Sequence, residues 1–206
     1  LIRSKKIVVS RLTKQFRQGS DSMIPNVAKA INNGEIIEFP SDFANSGFSF
    51  VEVEKGQVVD KIIEVVVFFT GDKNSSKDFD RTQILSPMRR YPSGLINLNS
   101  IMQKKYNPNG EKVFSKMEGD REVKFSAGDK VICTQNDYDI DVRNGDIGYV
   151  VNKVGKNIRV EFDGEMKLFH SNKIDYLDLA YAITVHKSQG SEYSNVIMPI
   201  VDDHRI

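Results

Sequence analysis

The chain has 206 residues, 39% of them hydrophobic and 28% charged, a balance that supports a packed core and excludes a chain kept unfolded by its own charge. Its longest apolar run, residues 65–69, falls well short of the roughly 20 residues a membrane-crossing helix needs, and its single cysteine, Cys133, excludes a disulfide scaffold. The net charge of +1 divides unevenly: +6 over residues 1–33, −6 over 34–80, +5 over 81–112, and −2 in each of 113–175 and 176–206. Such segregation suggests faces of opposite sign, one of which could follow a phosphate backbone; solvated helix surface is the other reading. His170, His186 and His204 have no recurring metal-ligand spacing, so no metal site is expected, and a cytoplasmic, reducing setting fits. The chain opens on Leu1 with no signal-peptide pattern and reads as a piece of something longer, cut at both ends.

Residues 6–12 read as a short strand, and residues 22–33 as a helix that Gly34 ends. Residues 48–53 alternate apolar and polar, which predicts a strand with one wet face. Over 57–69, Val58, Val59, Ile62, Ile63, Val66 and Val67 recur at helical spacing and form one broad apolar stripe. Residues 82–86 are a compact run ending at Pro87, the pattern of a buried strand with a loop at its carboxyl end; residues 95–105 follow as a helix. This alternation predicts an α/β domain, a parallel sheet with helices packed on its faces.

After Asn109-Gly110 the pattern changes. Short β-rich runs at 122–125, 130–135, 147–153, 158–162 and 166–170 are separated by Asn144-Gly145, Gly155-Lys156-Asn157 and Asp163-Gly164, residue types that tolerate tight hairpins. They predict a small antiparallel barrel of SH3-like size at 113–175, inserted into an α/β domain made of 1–112 and 176–206. Residues 179–189 read as a helix with Ala180, Ile183 and Lys187 on one face and Gly190 as its stop. Residues 195–201 read as an apolar strand from the middle of a parallel sheet.

Five strings stand out. Thr184-Val185-His186-Lys187-Ser188-Gln189-Gly190-Ser191-Glu192 offers a donor-rich segment, a glycine that lets the backbone approach a ligand, and a carboxylate able to accept from a sugar hydroxyl. Arg11-Leu12-Thr13-Lys14-Gln15-Phe16-Arg17-Gln18 precedes the first helix. Ile84-Leu85-Ser86-Pro87-Met88-Arg89-Arg90, continuing through Gly94, Asn97, Asn99, Gln103 and Asn107, places two arginines at the carboxyl end of a strand, where open α/β sheets bind ligands; the same residues could simply tie the loop. Gly128-Asp129-Lys130-Val131-Ile132 and Asn144-Gly145-Asp146-Ile147-Gly148 lie in the predicted barrel, where turn formation alone accounts for the glycines and asparagines.

Together these strings resemble the second motor lobe of superfamily 1 DNA helicases of the RecD-like branch, the exodeoxyribonuclease V alpha-subunit family. The resemblance implies a RecA-like lobe, 2A, with helices on both faces of its sheet, interrupted by an SH3-like barrel, 2B. It implies that Arg17 is an arginine finger reaching the γ-phosphate of ATP, a role suited to a planar guanidinium. It assigns Gln18, Gly190 and Glu192 to nucleotide, and Pro87, Arg89, Arg90, Asn99, Thr184, His186, Lys187, Ser188 and Gln189 to single-stranded DNA. No Gly-x-x-x-x-Gly-Lys-Ser/Thr cradle occurs, because at Gly155-Lys156-Asn157 the first glycine is Val150 and the hydroxyl residue is Asn157. ATP with Mg2+ is therefore expected only alongside an N-terminal Walker lobe. The chain alone is expected to be inactive and to hold no cofactor, with no membrane association. Expected partners are single-stranded DNA, the N-terminal lobe and recombination nuclease subunits, with translocation 5′ to 3′. A non-enzymatic nucleic-acid-binding module built around the barrel, and the helicase-like portion of a conjugative relaxase or an inactive homologue, are the alternatives.

Overall fold

The computed structural model describes residues 4, 6–10, 22–37, 39, 47–71 and 75–202. Arg17 and Gln18 lie outside the described residues. The chain forms two units, Leu1–Glu52 and Val53–Ile206.

In the first unit, α1 (Ile24–Asn33) begins with Pro25 in its first turn, where a missing N–H costs nothing, and buries Val27. It ends at Gly34 in a left-handed conformation. The strand expected at 48–53 does not form; Phe48 and Phe50 instead stack on Phe39, with ring centroids 5.5 and 4.8 Å apart. Residues 6–10 of the expected first strand carry no β-ladder, and residues 11–12 lie outside the described set.

The second unit opens with α2 (Val58–Thr70), whose Ile62 and Val66 turn inward, matching the apolar stripe. Strand β1 (Thr82–Leu85) is buried along most of its length. Helix α3 (Leu95–Tyr106) buries Leu95, Leu98, Asn99, Met102 and Tyr106. The two helices meet where Thr70 Oγ1 and Tyr106 share a 2.8 Å hydrogen bond. Phe79, fully buried, packs edge-on against Tyr106 and Tyr181 at 5.0 and 5.6 Å, a favoured aromatic geometry.

Two strands, β2 (Lys112–Glu118) and β3 (Arg121–Ser126), form a hairpin stiffened by the Phe114–Phe125 stack at 4.1 Å. Beyond it lie β4 (Lys130–Cys133), β5 (Ile147–Val154), β6 (Asn157–Phe162), β7 (Glu165–Phe169) and β8 (Leu177–Leu179), an antiparallel sheet of order β7-β6-β5-β4-β8. Its apolar residues alternate inward, as in β6, where Ile158, Val160 and Phe162 are buried. The expected strand at 122–125 pairs with β2 rather than with this sheet, and β8 takes the place beside β4. The antiparallel sheet thus runs on past residue 175.

The chain then returns to the parallel sheet through β9 (Ala182–Ile183) and β10 (Asn195–Ile197), in the order β10-β1-β9. Helix α2 lies against β1 and β10, and α3 against β9. Two expectations are corrected here. Residues 179–189 are not a helix: Leu179 to Ile183 are all buried, and their backbone groups are consumed by strand pairing and side-chain caps. The apolar strand at 195–201 is shorter and flanks β1, with Val196, Met198 and Ile200 at least half exposed, so β1 holds the middle position among the described strands.

Candidate functional site

Strands β1 and β9 run parallel with Ile84 opposite Ala182, so the segments following them emerge side by side at one edge of the sheet. The ladder continues one step further, since Ser86 N donates to Ile183 O at 2.9 Å. The sequence-predicted nucleic-acid residues at 87–90 and 184–189 therefore share the carboxyl edge, the customary ligand edge of an open α/β sheet.

The first segment is held by its own backbone. Buried Ser86 donates its hydroxyl to the carbonyls of Met88 and Ser93, at 2.9 and 3.0 Å. The carbonyls of Met88 and Arg89 accept from Leu95 N and Ile96 N at 2.8 and 3.1 Å, occupying N–H groups at the start of α3 that would otherwise suit an anion. Gly94 passes so close to the Arg90 carbonyl that a Cβ would collide with it. The loop is thus rigid while Arg89 and Arg90 point to solvent and Pro87 is half-buried. Arg89 reaches Glu118 at 3.8 Å, a surface pair worth little.

The second segment is a succession of turns. Ser188 N donates to the carbonyls of Thr184 and Val185 at 3.2 and 3.3 Å, Lys187 N to Thr184 Oγ1 at 3.2 Å, and Ser188 Oγ to Val185 O at 2.7 Å. His186 and Gln189 are exposed. Lys187 is engaged: its ammonium sits 2.9 Å from Asp178 Oδ2, while Lys116 holds the other oxygen at 2.6 Å. Burial alone would raise the Asp178 carboxyl, but these two lysines outweigh it and keep it below the usual carboxylate range. Gly190 adopts φ +91°, with open space where a Cβ would stand, so a ligand can approach its backbone.

Glu192 lines a cleft of about 480 Å3 with Lys77, Asp80, Asp146, Tyr149 and Glu161. Carboxylates outnumber cations there, which opposes a triphosphate inside this cleft. Tyr149 donates to Asp80, and burial together with that carboxylate pushes its hydroxyl far above the usual tyrosine range. Among the described residues, no group of three or more His, Cys, Asp or Glu could hold a metal ion, and no helix is long and apolar enough to cross a membrane.

Asn99 stands apart from the other predicted contacts. It is buried, and its amide both donates to Ala182 O and accepts from Ala182 N, each at 2.9 Å, so it ties α3 to β9 and presents nothing to a strand of nucleic acid. Its polar character in an apolar helix face was the available signal, since that also fits a buried tie.

Between the two sheets runs a polar seam. Asp129, fully buried, accepts from Gln103 at 2.5 Å, Asn107 at 2.7 Å, Ser126 N at 2.6 Å and Tyr181 at 3.0 Å, and burial raises its carboxyl despite those donors. Its neighbour Lys130, 1% exposed, donates to Phe79 O at 2.9 Å and Gln83 Oε1 at 3.3 Å and lies over the Phe79 ring; burial pulls its ammonium down to about 8. Gln83 in turn donates to the carbonyls of Ala180 and Tyr181, both at 3.1 Å. The Gly128-Asp129-Lys130 string is more than a turn: it fastens the barrel to α3 and β1.

Residues 98–162 match the SH3 domain of ATP-dependent RecD-like DNA helicases, and residues 179–206 match the C-terminal domain of UvrD-like helicases. The chain is 30% identical over 194 residues to the ATP-dependent RecD2 DNA helicase of Deinococcus radiodurans, covering 94% of this chain and 25% of that protein. It is 28% identical over 211 residues to the RecBCD enzyme subunit RecD of Buchnera aphidicola subsp. Schizaphis graminum, covering 94% of this chain and 34% of that one. The chain therefore spans about a quarter to a third of these relatives. Among solved structures, Bacteroides Pif1 bound to single-stranded DNA superposes with a TM-score of 0.49 at 19% identity, over 91% of this chain and 44% of that one.

Proposed function

Because this chain belongs to the RecD-like DNA helicases, its parallel sheet being the RecA-like lobe and its antiparallel sheet the SH3-like element, we propose that it is the second motor lobe of an ATP-dependent DNA helicase. In this reading residues 1–112 and 176–206 make up lobe 2A and 113–175 the 2B insert, with β8 as the seam between them. The loops after β1 and β9 grip a single strand through Arg89, Arg90, His186 and Gln189, while a Walker lobe elsewhere in the protein holds most of the ligands of ATP and Mg2+. Gly190 contributes an approachable backbone, Glu192 a carboxylate for sugar hydroxyls and Arg17 a guanidinium for the γ-phosphate. Bound ATP supplies the free-energy difference between open and closed states of the two lobes. What this chain's residues do is hold DNA differently in those states, so that the protein steps along the strand 5′ to 3′.

The observation that carries the reading is the shared carboxyl edge of β1 and β9, where both cationic and donor-rich segments emerge from adjacent parallel strands. The purified chain is expected to bind a labelled oligothymidylate with an affinity that falls steeply with salt, and to hydrolyse no ATP with or without DNA. Absence of any DNA binding overturns the reading. Binding retained in full by residues 113–175 alone favours a barrel-centred binding module instead.

A further inference from the structure

The edge described above has a third neighbour. The β2–β3 hairpin is fastened to both of its segments: Glu118, near the hairpin tip, meets Arg89, and Lys116 shares Asp178 with Lys187. Beside the tip lies a groove of about 530 Å3 lined by Arg90, Tyr91, Pro92, Ile96, Asn97 and Arg121. Its lining contains two guanidinium groups and no carboxylate, and neither arginine has a carboxylate partner among the described residues.

Tyr91 is the unusual member. Its φ is +79°, a region non-glycine residues rarely enter, and its side chain is half exposed. The conformation is imposed by the turn in which Gly94 N donates to Tyr91 O at 2.9 Å, with Gly94 pressed on the Arg90 carbonyl. A bulky aromatic held in strained backbone and facing solvent marks a position kept for its side chain, because strain of this kind persists only where the surroundings enforce it.

We propose that the β2–β3 hairpin is a third wall of the single-strand track, and that Tyr91, Arg90 and Arg121 form a nucleotide subsite within it. A base stacks on the Tyr91 ring and the phosphates on either side meet the two guanidinium groups. This combination of an exposed ring and flanking cations fits single-stranded nucleic acid better than an acidic peptide, which would need cations alone. The proposal rests on the reading of the chain as a DNA-gripping lobe and adds to it a subsite that joins Arg90, already assigned to the strand, with Tyr91 beside it and with Arg121 of the hairpin, an element outside both predicted contact segments.

The test is fluorescence anisotropy of the whole 206-residue chain with a fluorescein-labelled oligothymidylate across a salt series, beside thermal melting of each variant. Arg121→Ala is expected to reduce the slope of log K against log salt by about 0.7, the share of one phosphate on a single strand, while Arg121→Lys keeps the slope. Tyr91→Gly is expected to weaken binding at least about fivefold although glycine relieves the backbone strain, and Tyr91→Phe to retain it. If Arg121→Ala and Tyr91→Gly both bind as the parent does while Arg89→Ala weakens binding, the subsite is overturned and the gripping lobe stands. If the unaltered chain binds no DNA, both fall. If polyglutamate competes as well as the oligonucleotide and Tyr91→Gly has no effect, the groove is a surface for acidic peptide and the proposal is overturned.

Discussion

The seam at Asp129 and Lys130 and the carboxyl edge at 87–90 and 184–189 are both built from charged and hydrogen-bonding side chains on a fixed backbone and do opposite things. At the seam, charged and amide side chains are buried and every one is committed: Asp129 to four donors, Lys130 to two carbonyls and an amide, Gln83 to three carbonyls. At the edge, the backbone is equally fixed, but Arg89, Arg90, His186 and Gln189 reach solvent. Polar groups withdrawn from water must be paired, so a buried network specifies how two elements join. Polar groups held out on a rigid backbone remain available to a partner. Burial and commitment separate the joint from the proposed grip.

That contrast can be broken by mutation. The largest effect on stability is expected at Asp129→Ala, which strands several donors at once, each costing roughly 1–3 kcal/mol and together about 4 kcal/mol after relaxation. A loss below about 1 kcal/mol in chemical denaturation would dissolve the idea of a joint. Asn99→Ala should cost about 2 kcal/mol, because Ala182 loses partners for both backbone groups, and it should leave the salt slope of DNA binding unchanged. A selective loss of DNA affinity there would return Asn99 to the grip.

Lys130 sharpens the contrast through pH. Its ammonium is held at about 8 by burial, against 10.5 ordinarily. Between those values the unfolded chain binds a proton that the folded chain has shed, so this residue's penalty is full below pH 8 and is relieved as pH rises toward 10.5. Stability should therefore gain from this group between about pH 7.5 and about pH 9.5, and Lys130→Met should flatten the rise. Denaturation curves at the two pH values decide it. The smallest effect on stability is expected at Arg90→Ala, within about 0.5 kcal/mol of the parent, with the loss confined to DNA affinity.

Much of the architecture was legible in the sequence, because it rested on periodicity. The stripe from Val58 to Val67 became α2, the run ending at Pro87 became β1, and Asp163-Gly164 turns the chain between β6 and β7. The misreadings fall where tertiary pairing overrides local pattern. Residues 179–183 have helical spacing, yet Gln83 and Asn99 cap their backbone from elsewhere in the chain and β4 pairs with Leu177 and Leu179, leaving a helix no advantage. β2 went unread because Lys116, a cation that lies over the Phe125 ring and binds Asp178, interrupts its apolar alternation. At the candidate site, the positions of Arg89 and Arg90 followed from the strand ending at Pro87, whereas His186, read as part of a helix, lies instead in the turns after β9. The commitment of Asn99 to Ala182, 83 residues on, and of Lys187 to Asp178 could not be read from spacing.

The idea beneath all of this is that the chain is half of a motor, and Arg17 is where that half would act on the other. The most direct measurement is the ATPase rate of the full-length protein with single-stranded DNA, with and without Arg17→Ala: the substitution should lower kcat on the order of 10³-fold with the melting temperature unchanged. Turnover close to that of the unaltered enzyme would contradict it.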